Sequence, residues 1–140
     1  MSSSPGVNGR AKRAWGVLLL VLAIEVCGGL VLLVSMTGGM LAAGDEPMGQ
    51  RLSIFLAAVL SLVWVGVTFA ASLRVRASWV RASAITIHVL IFAAATGILQ
   101  LGLADARLGW ALVVLALVGF FAALAARPVV ASGAAATLDE

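Results

Sequence analysis

Four long apolar runs, parted by short breaks that carry almost all of the charge, constrain this chain more than any other feature. The first begins after Arg13 and stays uncharged to Ala43 apart from Glu25. The others extend from Leu52 to Leu73, from Ala82 to Ala104 and from Leu108 to Ala126. A hydrocarbon core roughly 30 Å thick is crossed by about 20 helical residues at 1.5 Å each, and every run reaches that length. Lipid offers no hydrogen bonds to backbone N–H and C=O groups, so a spanning segment must be a helix or part of a closed barrel. None of the runs shows the period-two alternation of barrel strands. The expected fold is all-α: a polytopic transmembrane four-helix bundle with helices over 14–36, 52–73, 82–104 and 108–126.

A soluble alternative fails on composition. The chain is 63% hydrophobic and 11% charged, with a mean hydropathy of +1.16. Soluble domains lie nearer half apolar and a quarter charged, and so apolar a chain lacks the polar residues to cover a water-facing surface. The net charge of +3 would suggest nucleic acid if its cations clustered on a soluble face. They sit instead between the apolar runs, as membrane anchors do, so the expected partner is the lipid bilayer and no nucleic acid. Cys27 is the only cysteine, and CxxC, HExxH and phosphate-binding GxxxxGK[ST] patterns are missing from the sequence, so neither cofactor nor metal is expected.

Orientation follows from the basic residues. Arg10, Lys12 and Arg13 precede the first run, Arg74, Arg76 and Arg81 lie between the second and third, and Arg127 follows the fourth. Only Arg51 and Arg107 occupy the opposite side. This bias places both termini in the cytoplasm of a multi-pass plasma-membrane protein, in bacteria an inner-membrane one. Trp15, Trp79 and Trp110 fall near run ends, as interfacial aromatics do, whereas Trp64 lies within a span. Gly38, Gly39, Gly44 and Pro47 argue that the first helix ends near Met36 and yields to a loop containing Asp45 and Glu46. The first run outlasts the apolar core of a signal peptide and includes a Glu, so a retained helix is expected. Residues 1–13 read as a disordered basic arm, and residues 127–140, opened by the helix-stopping Pro128, as a disordered tail.

Glu25 lies about 16 Å along its helix from Ala14, near the bilayer midplane. An ionised acid there costs roughly 2.5–3.5 kcal/mol unless neutralised or paired. Ser61, Thr68 and His88 flank it in depth, at about 20, 9 and 10 Å from the cytoplasmic helix ends. A bend or tilt could bring Glu25 and His88 together as the candidate intramembrane polar site. Two readings stay open: a hydrogen-bonded acid that fixes helix packing, or a titrating pair linked to protons or cargo. Arg74, Arg76, Trp79 and Arg81 are candidate lipid head-group contacts, though topology and anchoring alone account for such a loop. Small-xxx-small pairs at Ala57/Ser61, Gly66/Ala70, Ala93/Gly97 and Gly119/Ala123 would permit close helix approach.

The inner-loop sequence Arg76-Ala-Ser-Trp79-Val-Arg81 resembles an R-x-x-W-x-R pattern in uncharacterised small four-helix integral membrane proteins of actinobacteria. Those proteins similarly carry a basic arm, a mid-span Glu in the first helix like Glu25 and a fourth helix ended by proline like Pro128. They often have Gln in the third helix where this chain has His88. The resemblance implies architecture and source, and no activity. The Ile24-Glu25-Val26 triplet also resembles the A-E-V of small multidrug-resistance transporters, which use that Glu for proton–drug exchange. The likeness stops there, because the aromatic-rich second and third helices and the weak charge bias of that family are lacking.

One acid, one His and scattered hydroxyls make no catalytic constellation, so no catalytic residue is assigned and no enzyme is expected. The leading expectation is a non-enzymatic accessory or interaction subunit, partnered by other membrane proteins or by further copies of the chain. The alternative is a small proton-coupled transporter using Glu25.

Overall fold

The computed structural model describes residues 5–41 and 47–126, with side chains from residue 9 to 38 and from 47 onward. Within them the chain forms four helices, α1 (Pro5–Leu41), α2 (Met48–Arg74), α3 (Ser78–Leu101) and α4 (Ala106–Ala125). Each is long and apolar enough to cross a membrane. The protein is an all-α, four-span membrane protein.

The helix boundaries move from those the sequence implied, mostly outward. Residues 5–13, expected to be disordered, continue α1 toward the N-terminus. Pro5 suits a first helical position, and Arg10, Ala11, Lys12 and Arg13 are strong helix formers. At the other end α1 passes Met36 and carries Gly38 to Leu41. Glycine is tolerated in membrane helices because neighbours keep the backbone satisfied, and Ser35 and Thr37 return their hydroxyls to Val31 O and Leu33 O of the preceding turn. At 37 residues α1 is about 55 Å long and projects beyond a bilayer core. The expected loop residues Asp45 and Glu46, and the tail with Arg127 and Pro128, lie outside the described residues.

Helix ends follow local chemistry. α3 stops at Gly102, the one residue with positive φ among the described residues (62°, ψ 31°), where a glycine carries the left-handed closing turn that L side chains resist. Three residues later Asp105 caps α4 by accepting the Arg107 N–H at 2.8 Å. The tight connection makes α3 and α4 antiparallel neighbours. A similarly short break, Val75–Ala77, joins α2 to α3.

α3 and α4 pack most extensively, α1 lies on α2 and α4, and α2 touches α3 least. α1 and α3 are therefore diagonal in the bundle. The close α3–α4 seam follows from the buried face of α4, which is Gly109, Val113, Ala116, Gly119, Ala122 and Ala123. Small side chains let backbones approach and gain van der Waals contact, the main adhesive between helices in lipid.

The core is concentrated at one end. Trp15, Leu18 and Leu22 of α1 meet Val80 and Ala84 of α3 and Ala122, Ala123 and Ala126 at the end of α4. Polar clasps reinforce this end. Trp15 Nε1 donates to Ser72 O of α2 at 3.2 Å, and the Arg76 guanidinium stands 5.7 Å from the centre of the Trp15 ring. Arg81 Nε donates to Ala123 O of α4 at 3.0 Å. Trp15→Phe keeps one aromatic ring but loses the pyrrole half of the indole, leaving Ser72 O without its donor and a gap in the core. We expect a loss of about 1–3 kcal/mol, read as a fall in thermal midpoint in detergent with helix content unchanged.

Past Glu25 the bundle loosens. The inward stripe of α1, Gly29, Leu33 and Met36, is only half-buried, as is the α2 stripe Phe55, Ala58, Val59 and Leu62. Each hairpin stays packed internally. Gly29 accepts Leu62 so closely that a Cβ there would lie 2.9 Å from Leu62 Cδ1, and buried Gly109 sits under Leu99 and Ile98. Three sets of side-chain contacts tie the α1–α2 hairpin to the α3–α4 hairpin at the level of Glu25 or nearer Trp15. They are the Trp15 core, Trp64 and Thr68 on Ser83, and Glu25 on His88.

Candidate functional site

The two polar residues singled out from sequence meet across the bundle's diagonal. Glu25 Oε1 of α1 stands 3.2 Å from His88 Nε2 of α3, with the two side chains 5% and 0% exposed. Helical register explains the meeting: Leu18, Leu22 and Glu25 recur at spacings of four and three, and Ala84 and His88 are one turn apart on α3. The turns that pack the Trp15 core therefore aim the next polar residue of each helix inward.

Three features define the chemistry. First, His88 Nδ1 lies 2.6 Å from Ala84 O. A carbonyl only accepts, so Nδ1 carries the hydrogen and the ring is fixed by its own helix. Second, in a neutral imidazole Nε2 then presents a lone pair toward Glu25. Two acceptors at this separation would repel, so the contact is attractive only with one proton on the pair, as carboxylic acid with neutral imidazole or as carboxylate with imidazolium. Either arrangement is neutral overall, which resolves the cost of an acid at mid-membrane. Third, alignment is incomplete. The 3.2 Å approach is within range, yet Glu25 Oε1, Glu25 Oε2 and His88 Nε2 are buried without a directed hydrogen bond. Rotation about the last carboxyl torsion, which is broad, would align them.

α4 supplies the space. A Cβ on Gly119 would overlap the Nε2 and Cδ2 atoms of His88, so the ring occupies the room a side chain would take. Gly119 was visible in sequence only as half of a small-xxx-small pair, and nothing there linked it to His88. A cavity of about 160 Å³ borders the other side of the ring, lined by Val89, Phe92, Ala116, Leu117 and Phe120.

The remaining candidates are placed elsewhere. Ser61 is exposed. Thr68 is buried but bonds Trp64 O at 3.0 Å and Ser83 Oγ at 2.7 Å, while Trp64 Nε1 donates to the same Ser83 at 2.9 Å. This α2–α3 network explains why Trp64 lies within a span, away from the interface. Of the head-group candidates, Arg74, Arg76 and Trp79 are exposed and Arg81 is half-buried, and Arg76 and Arg81 also make the intramolecular clasps described above. Gly119 and Ala123 are buried in the α3–α4 seam, but Ala57 and Ser61 face outward. Among the described residues no cluster of three or more His, Cys, Asp or Glu side chains is arranged to hold a metal ion. Comparison with known proteins finds no family model, no curated protein and no solved structure that matches this chain.

Proposed function

We propose that the chain is a non-enzymatic accessory subunit of the bacterial plasma membrane, built to associate with other membrane proteins or with further copies of itself. The enclosed Glu25–His88 pair carries this reading. A mutually neutralised acid and imidazole, with the second ring nitrogen bonded to backbone, form a helix clamp and present no reactive group. The adjoining cavity, about 160 Å³, is apolar apart from His88 and smaller than the roughly 300 Å³ at which ligand pockets begin. The basic residues around Arg74–Arg81, with Arg10, Lys12 and Arg13 of the N-terminal arm, support cytoplasmic termini. Mass measurement in native nanodiscs should find an assembly heavier than the 14.3 kDa chain. A monomer that carries protons or cargo in proteoliposomes, and loses that flux on Glu25→Gln, would overturn the proposal.

One observation favours a second reading. Three buried polar atoms of the pair lack directed hydrogen bonds, and such groups in membrane proteins often mark proton pathways. A small proton-coupled transporter would use Glu25 as its titrating acid. The same proteoliposome measurement separates the two.

A further inference from the structure

The site and the packing together suggest more than a static clamp. The bundle consists of two hairpins, and its buried core at the Trp15 end draws residues from both. Glu25–His88 stands where that joined region gives way to the half-buried stripes of Gly29, Leu33 and Met36. The pair thus links the two hairpins at the edge of the looser side, and its attraction depends on one proton.

We propose that Glu25 and His88 form a single-proton site that latches the α1–α2 hairpin to the α3–α4 hairpin. With the proton present, Nε2 and Oε1 share it and the hairpins stay closed. When it leaves, a carboxylate faces the lone pair of a neutral imidazole, because Nδ1 keeps its hydrogen for Ala84 O. Repulsion, and the demand of a buried carboxylate for water, then part the hairpins on the side away from Trp15. The Trp15 core, the Trp15–Ser72 bond and the Arg81–Ala123 bond act as the hinge.

The surroundings leave this proton to the pair. α4 presents Gly119 to the imidazole, and α2 presents Leu62 one turn away, against Gly29. The other described ionisable side chains stand toward the helix ends. Arg10, Lys12, Arg13, Arg74, Arg76 and Arg81 lie at the Trp15 end, and Arg51, Asp105 and Arg107 at the opposite one. Cys27 is near in sequence but exposed. This proposal goes beyond association as a subunit and holds whether or not the chain carries cargo.

Spin-label distances test it. In a Cys27→Ser background, labels at the exposed positions Val34 and Leu101 report the loose side, and labels at Val17 and Leu124 report the hinge. Titration from acid to alkaline conditions in nanodiscs should lengthen the Val34–Leu101 distance by several ångström and leave Val17–Leu124 unchanged. Glu25→Gln should abolish the response, since its amide donates to Nε2 with no proton to lose. His88→Gln should do the same, because its amide can pair with either form of Glu25. A Val34–Leu101 distance that ignores pH would overturn the latch. So would a pH response that persists in both variants, or equal movement of both label pairs.

Discussion

His88→Ala is expected to destabilise the bundle by about 3–5 kcal/mol, the range for removing one partner of a buried pair. The larger part comes from what is left behind. Without the imidazole, Glu25 faces an apolar interior beside Gly119 and must bind a proton or draw in water. Glu25→Ala should cost less, about 1–3 kcal/mol, because it strands only a neutral acceptor at Nε2. Ordinary interhelical hydrogen bonds in membranes average nearer 0.6 kcal/mol, since the unfolded state also finds partners. A loss of that size from both variants would show that the pair is only another polar contact. The double replacement Glu25→Met with His88→Leu removes both demands at once, and its stability should return to near that of the natural chain. Reversible unfolding in mixed micelles of the natural chain, His88→Ala, Glu25→Ala and the variant carrying both alanines gives the cycle, and a coupling near zero would contradict the pairing.

Gly119→Ala adds a single methyl group where the His88 ring already lies. Elsewhere in a lipid-embedded helix this substitution would be benign or favourable, because alanine is the better helix former. Here the ring must tilt, breaking its alignment with Ala84 O or Glu25, or α4 must withdraw from the seam. Overpacking of this kind typically costs about 1–3 kcal/mol, against about 1 kcal/mol gained in helix propensity, so destabilisation should win. Gly97→Ala is the control, since a Cβ there meets nothing within 4 Å. It should leave thermal unfolding unchanged or raise its midpoint. Equal effects of the two substitutions would remove Gly119 from the site.

Much of the architecture was legible because lipid restricts the options. Once four runs are long enough to span, backbone hydrogen bonding fixes their class, and short breaks fix antiparallel neighbours. The helix ends were less legible. Gly38 and Gly39 read as a turn by soluble-protein rules, yet α1 continues through them, whereas Gly102 and Asp105 mark a true stop and cap. Depth made the Glu25–His88 meeting only a candidate, since the two stand at different heights and needed a bend or tilt to come together. Depth does not reveal which face of a helix points inward, so Ser61 and Thr68 remained equal candidates until packing placed one outward and the other on Ser83. Gly119 was hidden for a related reason. Its role comes from the absence of a side chain opposite a ring on another helix, and an Ala- and Gly-rich sequence gives no sign of which small residue faces what.

A proton shared between Glu25 and His88 at the heart of the bundle is directly accessible to solid-state nuclear magnetic resonance of ¹³C,¹⁵N-labelled protein in lipid bilayers. We expect dipolar coupling between His88 Nε2 and the Glu25 carboxyl carbon, in keeping with the 3.2 Å Nε2–Oε1 approach, together with a protonated, hydrogen-bonded Nδ1. A His88 ring without coupling to Glu25, showing the nitrogen shifts of a freely hydrated imidazole, would contradict it.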